Sequence, residues 1–261
     1  MSSWIIARNV APRKKAVIAA TYHNASNISD MPSLYMEYLA AHIYSQKMGE
    51  PCTVWDPTSI LRNTLRIPPQ TKFLKETTDE QSVLGLNIYK PFVTGLKFKE
   101  VQKIAADLIF YDPAFNREVV NTINKAGIKS TFDIGIHLVR DPSGPNLSAF
   151  KTYSELLKAF QKKSKKTNLN IYIMADNYSV ITQFQPYCDP SWKIVSLSKV
   201  APVGEDNELI QLMADIQIMA ALPALALDFS RSSDRFIYLM QRYRGGLTYF
   251  TEVNGVEWNL I

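Results

Sequence analysis

The second half of the chain alternates between short apolar runs and segments with helical periodicity, and this alternation constrains the fold more than any other feature. The first apolar run, Ile134–Leu138, is followed by a helical pattern over Tyr153–Lys163. The later predicted strands are Asn170–Met174, Lys193–Leu197, Ala224–Leu227 and Leu247–Val253, and the helices between them are Ser179–Phe184, Glu208–Ala221 and Ser232–Arg242. Because strands that alternate with helices form parallel sheets, the pattern predicts an α/β fold with a Rossmann-like layer.

The first half shows a similar order with weaker signals. Its predicted elements are, in chain order, strand Ala16–Thr21, helix Met31–Met48, strand Cys52–Trp55, helix Phe98–Asp107, strand Leu108–Tyr111 and a helix from Pro113 to Gly127. Residues 57–95 are predicted to be mostly loop with one short helix. We therefore expect two Rossmann-like lobes, residues 1–130 and residues 131–261, with a cleft between them.

Composition limits the classes of partner. The 261 residues are 46% hydrophobic and 20% charged, which is typical of a folded globular protein. The net charge of +5 suits an anionic small molecule such as a nucleotide as well as it suits nucleic acid. The lysine cluster at positions 162–166 lies at a predicted helix end without interleaved aromatic residues, so we expect no nucleic-acid partner.

Cysteine and histidine usage argues against a disulfide framework and a metal centre. Cys52 and Cys188 lie far apart, which favours a reducing compartment and excludes a thiolate zinc site. His23, His42 and His137 are too scattered to predict a zinc site. The sequence has neither a signal peptide nor an apolar run long enough to span a bilayer, so we expect a soluble, cytoplasmic protein without a membrane anchor.

Polar residues lie at the ends of three of the predicted strands, and the first of these strands is Ile134–Leu138. His137, Arg140 and Asp141 come at the end of Ile134–Leu138, where the carboxyl edge of an open α/β sheet binds ligands. The alternative is a buried strand followed by an ordinary charged loop.

A second polar cluster, Ser230, Arg231, Ser232 and Ser233, stands between a strand and an apolar-striped helix. Hydroxyls and free N–H groups at a helix N-terminus form an anion site, to which an arginine adds further donors. Simple N-capping by Ser232 or Ser233 is the alternative.

Two aspartates are further candidates. Asp176 and Asn177 end the strand at Asn170–Met174, and an Asx-type turn explains them as well as a ligand does. Asp215 lies in mid-helix beside an apolar face, so its carboxylate needs a partner such as a base or a ribose unless it points to solvent. The sequence contains no Walker loop, GxGxxG, HExxH, GxSxG or DxD motif.

Three segments, taken in order, resemble the motifs of the GDP-fucose-dependent fucosyltransferases, which include the α1,6-, α1,2-, nodulation and protein O-fucosyltransferases. IGIHLVRD over residues 134–141 is similar to IGxHxRRxD, and YIMADN over residues 172–177 is similar to YLATDD. ADIQIMAALPALALDFSRSSDRFIYLMQ over residues 214–241 is similar to the third motif, an aspartate-led helix, a strand, FSS and a helix containing Arg and Tyr. The resemblance implies a GT-B-like fold in which residues 131–261 form the nucleotide-sugar donor side and residues 1–130 form the acceptor side. It also implies an inverting, metal-independent transfer of fucose from GDP-fucose to a glycan hydroxyl, without a further cofactor.

The resemblance also implies roles for single residues. His137 and Asp215 would hold the guanine or its ribose, Asp176 would organise the site, and Arg140 would neutralise charge on the departing nucleotide. The hydroxyls of Ser230, Ser232 and Ser233 would hold the diphosphate.

The chain departs from the family pattern at three places. The first arginine of the first motif is Val139, the second aspartate of the middle motif is Asn177, and the Gly-Asn-Gln loop is replaced by residues 29–33. Three explanations stay open: another donor such as a UDP-pentose, a substitute basic residue, or an inactive protein with a structural or binding role. The sequence leaves the acceptor glycan and the oligomeric state undetermined, and we expect the enzyme to serve a bacterial or viral glycosylation system.

Overall fold

The computed structural model describes residues 5–6, 18–19, 31–49, 52–55, 59–74, 98–128, 131–139, 147–200, 208–228, 231–241 and 247–250. The chain divides into two compact units, and the division falls between Asn116 and Arg117. The lobe boundary near residue 130 stays a prediction. The first and second units are described separately below.

The first unit contains a long helix and short strands. Its elements are β1 (Ile5–Ile6), β2 (Ile18–Ala19), α1 (Met31–Met48), β3 (Thr53–Trp55), α2 (Ile60–Thr64), β4 (Lys72–Leu74), α3 (Phe98–Leu108) and the start of α4 (Pro113–Lys125). Strand β1 pairs antiparallel with β2, and β3 pairs parallel with β4. Helix α1 packs against β3 and α3 through a buried side that includes Leu34, Tyr38 and Leu39.

Two predictions for this unit are wrong. Residues 108–111 do not form a strand, because α3 continues to Leu108 and only Tyr111 makes a bridge, to Leu65. Leu108 and Ile109 are buried at the end of α3 and just after it, while Phe110 is exposed, a difference that a short apolar run does not reveal. Strand β4 lies where a loop was predicted, whereas α2 confirms the short helix predicted between residues 57 and 95.

The second unit is built on a five-stranded parallel sheet. Its strands are β5 (Ile134–Leu138), β6 (Asn170–Ala175), β7 (Lys193–Val195), β8 (Ala224–Leu227) and β9 (Leu247–Phe250). Their order across the sheet is β7-β6-β5-β8-β9, with every pair parallel. The first strand is therefore central and the connections reverse direction between β5 and β8, which is the doubly wound Rossmann arrangement.

Helices cover the two faces of this sheet. They are α5 (Leu147–Ser164), α6 (Tyr178–Phe184), α7 (Leu197–Val200), α8 (Glu208–Ala220) and α9 (Ser232–Met240). Side chains of α5 and α6 form one core cluster with Ile134, Ile136 and Leu138 of β5. Because side chains alternate along a strand, Gly135 and His137 face the opposite side, where α8 and α9 pack.

Two element boundaries differ from the prediction. Helix α5 begins at Leu147, six residues before the predicted start at Tyr153, because Phe150 already belongs to the core cluster. Strand β7 ends at Val195, and Leu197 begins the short helix α7.

Gly135 lets α8 approach the central strand closely. A Cβ atom at this position would lie 2.6 Å from Met219 Sδ and 2.6 Å from Leu222 Cδ1. Met219 lies one helical turn beyond Asp215 on α8. The absent side chain at residue 135 therefore helps to bring Asp215 to the same face of the sheet as His137.

Candidate functional site

His137 is the central group at the point where the sheet connections reverse. It lies next to the carboxyl end of β5 and is 6% exposed. Its Nδ1 forms a hydrogen-bonded ion pair with Oδ1 of Asp234, which lies in the first turn of α9 and is fully buried. The pair joins the central strand to the helix that follows β8.

The turn between β8 and α9 is held by the same carboxylate. Oδ2 of Asp234 accepts a hydrogen bond of 2.6 Å from the backbone N–H of Asp228, the residue that follows β8. Asp228 in turn accepts from Arg231, at 3.2 Å from Nε to Oδ2 and at 3.0 Å between the backbone groups. The Arg231 side chain is 33% exposed, so a guanidinium is fixed at the carboxyl edge while it still reaches solvent.

The N-terminus of α9 is open. Arg231 is the N-cap residue, with an extended backbone and no capping hydrogen bond from its side chain. Ser232 and Ser233 are the first two helical residues and are partly exposed, so N-capping by either serine is wrong as an explanation of the cluster. Among the described residues, none accepts a hydrogen bond from the N–H of Ser232 or Ser233. Hydroxyls, N–H donors and a guanidinium thus meet at this edge, as an anion requires.

Asp215 is buried, at 3% exposure, and does not point to solvent. Its Oδ1 accepts a hydrogen bond of 2.5 Å from the Tyr172 hydroxyl of β6. Burial raises the pKa of Asp215 to about 7, against the opposing effects of the Tyr172 hydrogen bond and the charge of His137. Burial, together with the charge of Asp215, also raises the pKa of Tyr172 well above its usual value.

Asp176 lies at the carboxyl end of β6 and is exposed. The next residue, Asn177, caps α6, because its Oδ1 accepts a hydrogen bond of 2.8 Å from the N–H of Ser179. The Asx-type turn therefore explains Asn177, and it leaves Asp176 at the same sheet edge as His137.

Arg140, Asp141 and Ser230 lie outside the described residues. Within the described part of the chain, no three His, Cys, Asp or Glu side chains come together as a metal site. No described helix is both long and apolar enough to cross a membrane.

A shallow groove of about 380 Å³ lies elsewhere in the second unit, between α5 and residues 186–190. Its charged lining is mixed, with Lys151 and Lys158 beside Glu155 and Asp189. This groove lacks the convergent donors of the sheet edge, so the turn between β8 and α9 is the stronger candidate site.

Three residues of the site were not predicted from the sequence: Tyr172, Asp228 and Asp234. Asp234 is 97 positions away from its partner His137, so local periodicity carries no sign of the pair. The one usable signal is that a histidine in a buried strand needs a polar partner, which directs attention to acidic residues near the other strand ends.

Comparison with known proteins rests on structure alone. No protein-family model matches the sequence, and no curated protein matches it significantly. Among solved structures, the fucosyltransferase NodZ from Bradyrhizobium superposes with a TM-score of 0.56 at 8% identity, over 87% of this chain and 93% of that one. A mutant of Arabidopsis thaliana FUT1 in complex with GDP superposes with a TM-score of 0.59 at 10% identity, over 90% of this chain and 69% of that one.

The chain has a fucosyltransferase-like fold. The predicted α/β, GT-B-like fold class is confirmed, and the cleft between two lobes stays a prediction. NodZ α1,6-fucosyltransferase has also been crystallised with GDP and soaked with GDP-fucose, and these structures superpose with TM-scores of 0.56 and 0.54. At 7–10% sequence identity, these superpositions establish the fold of the chain, which is a fucosyltransferase-like glycosyltransferase fold.

Proposed function

We propose that this protein is a glycosyltransferase that binds a nucleotide sugar at the β5–β8 edge of its second unit. The donor is GDP-fucose, and the acceptor is a glycan hydroxyl. The observation that carries the proposal is the cluster of His137, Asp234 and Arg231 at the open N-terminus of α9. Its fold is shared with proteins crystallised with GDP and treated with GDP-fucose, which supports the choice of nucleotide.

The diphosphate lies at the start of α9 in this proposal. The N–H groups of Ser232 and Ser233 have no acceptor among the described residues, and the positive end of the helix dipole favours an anion. Arg231 adds a charged donor, and the hydroxyls of Ser230, Ser232 and Ser233 complete the set.

The nucleoside lies nearer the central strand. His137 and Asp215 hold the base or its ribose, and Asp176 organises the site from the end of β6. Because Oδ1 of Asp215 is already bonded to Tyr172, its Oδ2 is the oxygen left for a nucleoside donor.

Transfer proceeds with inversion and without a metal ion or other cofactor. The acceptor oxygen attacks the anomeric carbon from the face opposite the diphosphate and loses its proton to a base, while the bond from that carbon to the diphosphate oxygen breaks and GDP leaves with the electron pair. Negative charge grows on the diphosphate during this step, so fixed cations stabilise the transition state more than the ground state. Arg140 supplies that charge, and Arg231 stands close enough to the α9 N-terminus to share the role.

Val139 favours a second candidate function. The residue stands where the related motif has its first arginine, so a protein that binds the nucleotide sugar without turning it over is the alternative. The third possibility is a glycosyltransferase that uses a UDP-sugar, and not GDP-fucose, as its donor.

Thermal unfolding in the presence of GDP, GDP-fucose, UDP and a UDP-pentose distinguishes these readings. A ligand at 100 times its dissociation constant stabilises the folded state by about 2.7 kcal/mol. We expect stabilisation by GDP and GDP-fucose alone. Stabilisation by UDP alone rejects fucose, and no shift with any of the four rejects nucleotide binding.

Turnover separates an enzyme from an inactive binding protein. Release of GDP from GDP-fucose in the presence of glycan acceptors is expected for the unsubstituted protein and is expected to be lost in Arg140→Ala without loss of GDP binding. GDP binding without release in any acceptor mixture favours the inactive reading, and unchanged turnover in Arg140→Ala removes Arg140 from the mechanism.

A further inference from the structure

A histidine in a ligand site has two ring nitrogens, and their roles depend on the group that holds the ring. At His137 the ring is 6% exposed, and Nδ1 is bonded to Oδ1 of Asp234. Among the described residues, no hydrogen bond is formed to Nε2. Nε2 is therefore the nitrogen that a ligand at this edge would meet.

Asp234 is well placed to hold the ring in one orientation. Its carboxylate is fully buried and is held at both oxygens, since Oδ1 is bonded to His137 and Oδ2 accepts from the N–H of Asp228 at 2.6 Å. Buried charged groups of this kind are costly unless every oxygen is satisfied. Both oxygens are satisfied here, one by His137 of the central strand and one by the backbone N–H of Asp228 after β8.

We propose that Asp234 is a positioning residue of the nucleotide site, which fixes the proton of His137 on Nδ1 and presents Nε2 to the ligand. This inference rests on the proposed function. A carboxylate only accepts hydrogen bonds, so it selects the ring form with a proton on Nδ1, and the neutral ring then offers a lone pair at Nε2.

The polarity of Nε2 assigns a class of ligand group to it. An acceptor matches a hydroxyl or an N–H donor, and both occur on a nucleoside, whereas phosphate oxygens are acceptors themselves. With Asp234 on Nδ1, His137 therefore binds the ribose or the base through Nε2. The diphosphate is bound by Arg231 and the start of α9.

Nitrogen-15 NMR of the imidazole rings tests the first half of this proposal without any nucleotide. The chain has three histidines, so His137→Gln identifies the signals of residue 137. At a pH where the ring is neutral, we expect a protonated Nδ1 and a bare Nε2. A bare Nδ1 overturns the proposal.

Substitution tests the cause. Asp234→Asn has nearly the same shape but can also donate, so we expect both ring forms of His137 to appear in its spectrum and GDP affinity to fall roughly tenfold or more. Asp228→Asn is the matched control, because its backbone N–H to Asp234 is retained, and it should keep the single ring form. An Asp234→Asn spectrum identical to that of the unsubstituted protein overturns the proposal.

GDP titration of the unsubstituted protein covers the case in which Asp234→Asn does not fold. We expect GDP to shift the Nε2 signal of His137 and to leave His42 of the first unit unchanged. GDP binding by thermal unfolding with no change at His137 overturns the role of Nε2. A failure of GDP to bind overturns the proposed function and the nucleotide role together, while the ring form in the free protein still decides whether Asp234 positions His137.

Discussion

At the scale of single residues, two buried carboxylates lie on the α8–α9 face of the sheet and have different partners. Asp234 is paired with a cation-forming ring, while Asp215 faces a tyrosine hydroxyl and feels the charge of His137. Burial disfavours the charged form of a carboxyl group unless a partner compensates it. Asp215 is the less compensated of the two, because one of its oxygens accepts a hydrogen bond, whereas both oxygens of Asp234 have a partner.

The raised pKa of Asp215 has a defined effect on stability. In the unfolded chain this carboxyl group titrates near its ordinary value of 3.8, and in the folded protein it titrates near 7. Between these values the folded state holds a proton that the unfolded state has lost, so the stabilising contribution is complete below about pH 4 and is lost as pH rises through 7. The slope amounts to at most about 1.4 kcal/mol per pH unit.

Urea unfolding of the unsubstituted protein and of Asp215→Asn from pH 4.5 to pH 8 measures this contribution. Asparagine still accepts from Tyr172 but does not titrate, so the variant should gain stability relative to the unsubstituted protein as the pH rises. The other titratable groups are common to both proteins, so the difference between the two pH curves reports mainly on Asp215. Parallel pH curves would show that Asp215 is ionised throughout.

Arg231 provides the clearest residue-scale test of the anion site. Loss of a charged hydrogen bond to the diphosphate costs about 1.5–3 kcal/mol, so GDP affinity in Arg231→Ala should fall by roughly tenfold or more. Arg231 is 33% exposed but its partner Asp228 is buried, so we expect Arg231→Ala also to lower the free energy of unfolding by about 1–3 kcal/mol, and affinity is compared under conditions where urea unfolding shows the variant to be folded. Lys158→Ala, which removes an exposed charge from α5 on the other face of the sheet, is the control in the same calorimetric titration. Equal affinities in the two variants would remove Arg231 from the site.

For some of these residues the position in the fold could be predicted from the sequence, while their roles in ligand binding stay predictions. His137 was located by its strand, since a run of apolar residues predicts burial and its polar end predicts the sheet edge. Asp215 was located by its apolar helix face, and its burial is confirmed. Asp234 was not predicted, because its pairing with His137 depends on which strands are neighbours in the sheet. That strand order is a property of the whole fold.

At the scale of elements, the central strands β5, β6 and β8 of the second unit were predictable because they are buried on both faces. A strand in that position has apolar residues in succession, and the predicted bounds of β5 and β8 agree with the structure. Strand β4 was not predictable in this way, because it has three residues and β3 is its one partner among the described strands. Such a short strand owes its conformation to its neighbour and not to its own pattern.

Packing of α8 on β5 gives an element-scale prediction. Gly135→Ala places a methyl group 2.6 Å from Met219 Sδ and Leu222 Cδ1 unless those side chains move. Met219 and Leu222 are both buried, so their movement disturbs a filled core, and we expect a loss of about 1–3 kcal/mol in the free energy of unfolding.

A double-mutant cycle with Met219→Ala shows whether the contact causes that loss. Met219→Ala removes the sulfur atom, so Gly135→Ala should cost less in this background, with a coupling of about 0.5 kcal/mol or more by urea unfolding. Strict additivity of the two losses would mean that α8 moves as a body and that Gly135 does not set its approach.

At the scale of the whole molecule, the candidate ligand-binding groups of the described residues lie in the second unit and not in the first. The first unit has buried aromatic hydroxyls that are bonded internally, as Tyr35 is to Thr64 at 2.7 Å. The second unit has the point where the sheet connections reverse, the N-terminus of α9 without a side-chain capping bond, and the partly exposed guanidinium of Arg231. A nucleotide should therefore be bound by the second unit, and this expectation can be tested without knowing the acceptor.

Hydrogen exchange with and without saturating GDP provides that test. A ligand raises the free energy of every opening that would release it, so protection follows the structure that holds the ligand. We expect slower exchange in residues 134–138, 224–228 and 231–240, and unchanged exchange in residues 53–55 and 72–74 of β3 and β4. UDP at the same concentration is the control for non-specific anion binding and should leave all of these segments unchanged.

Because β5 and β8 are bonded to each other at the centre of the sheet, protection there together with α9 would place the nucleotide at the point where the sheet connections reverse. Protection restricted to β3 and β4 would transfer the nucleotide to the first unit and reverse the assignment of donor and acceptor sides.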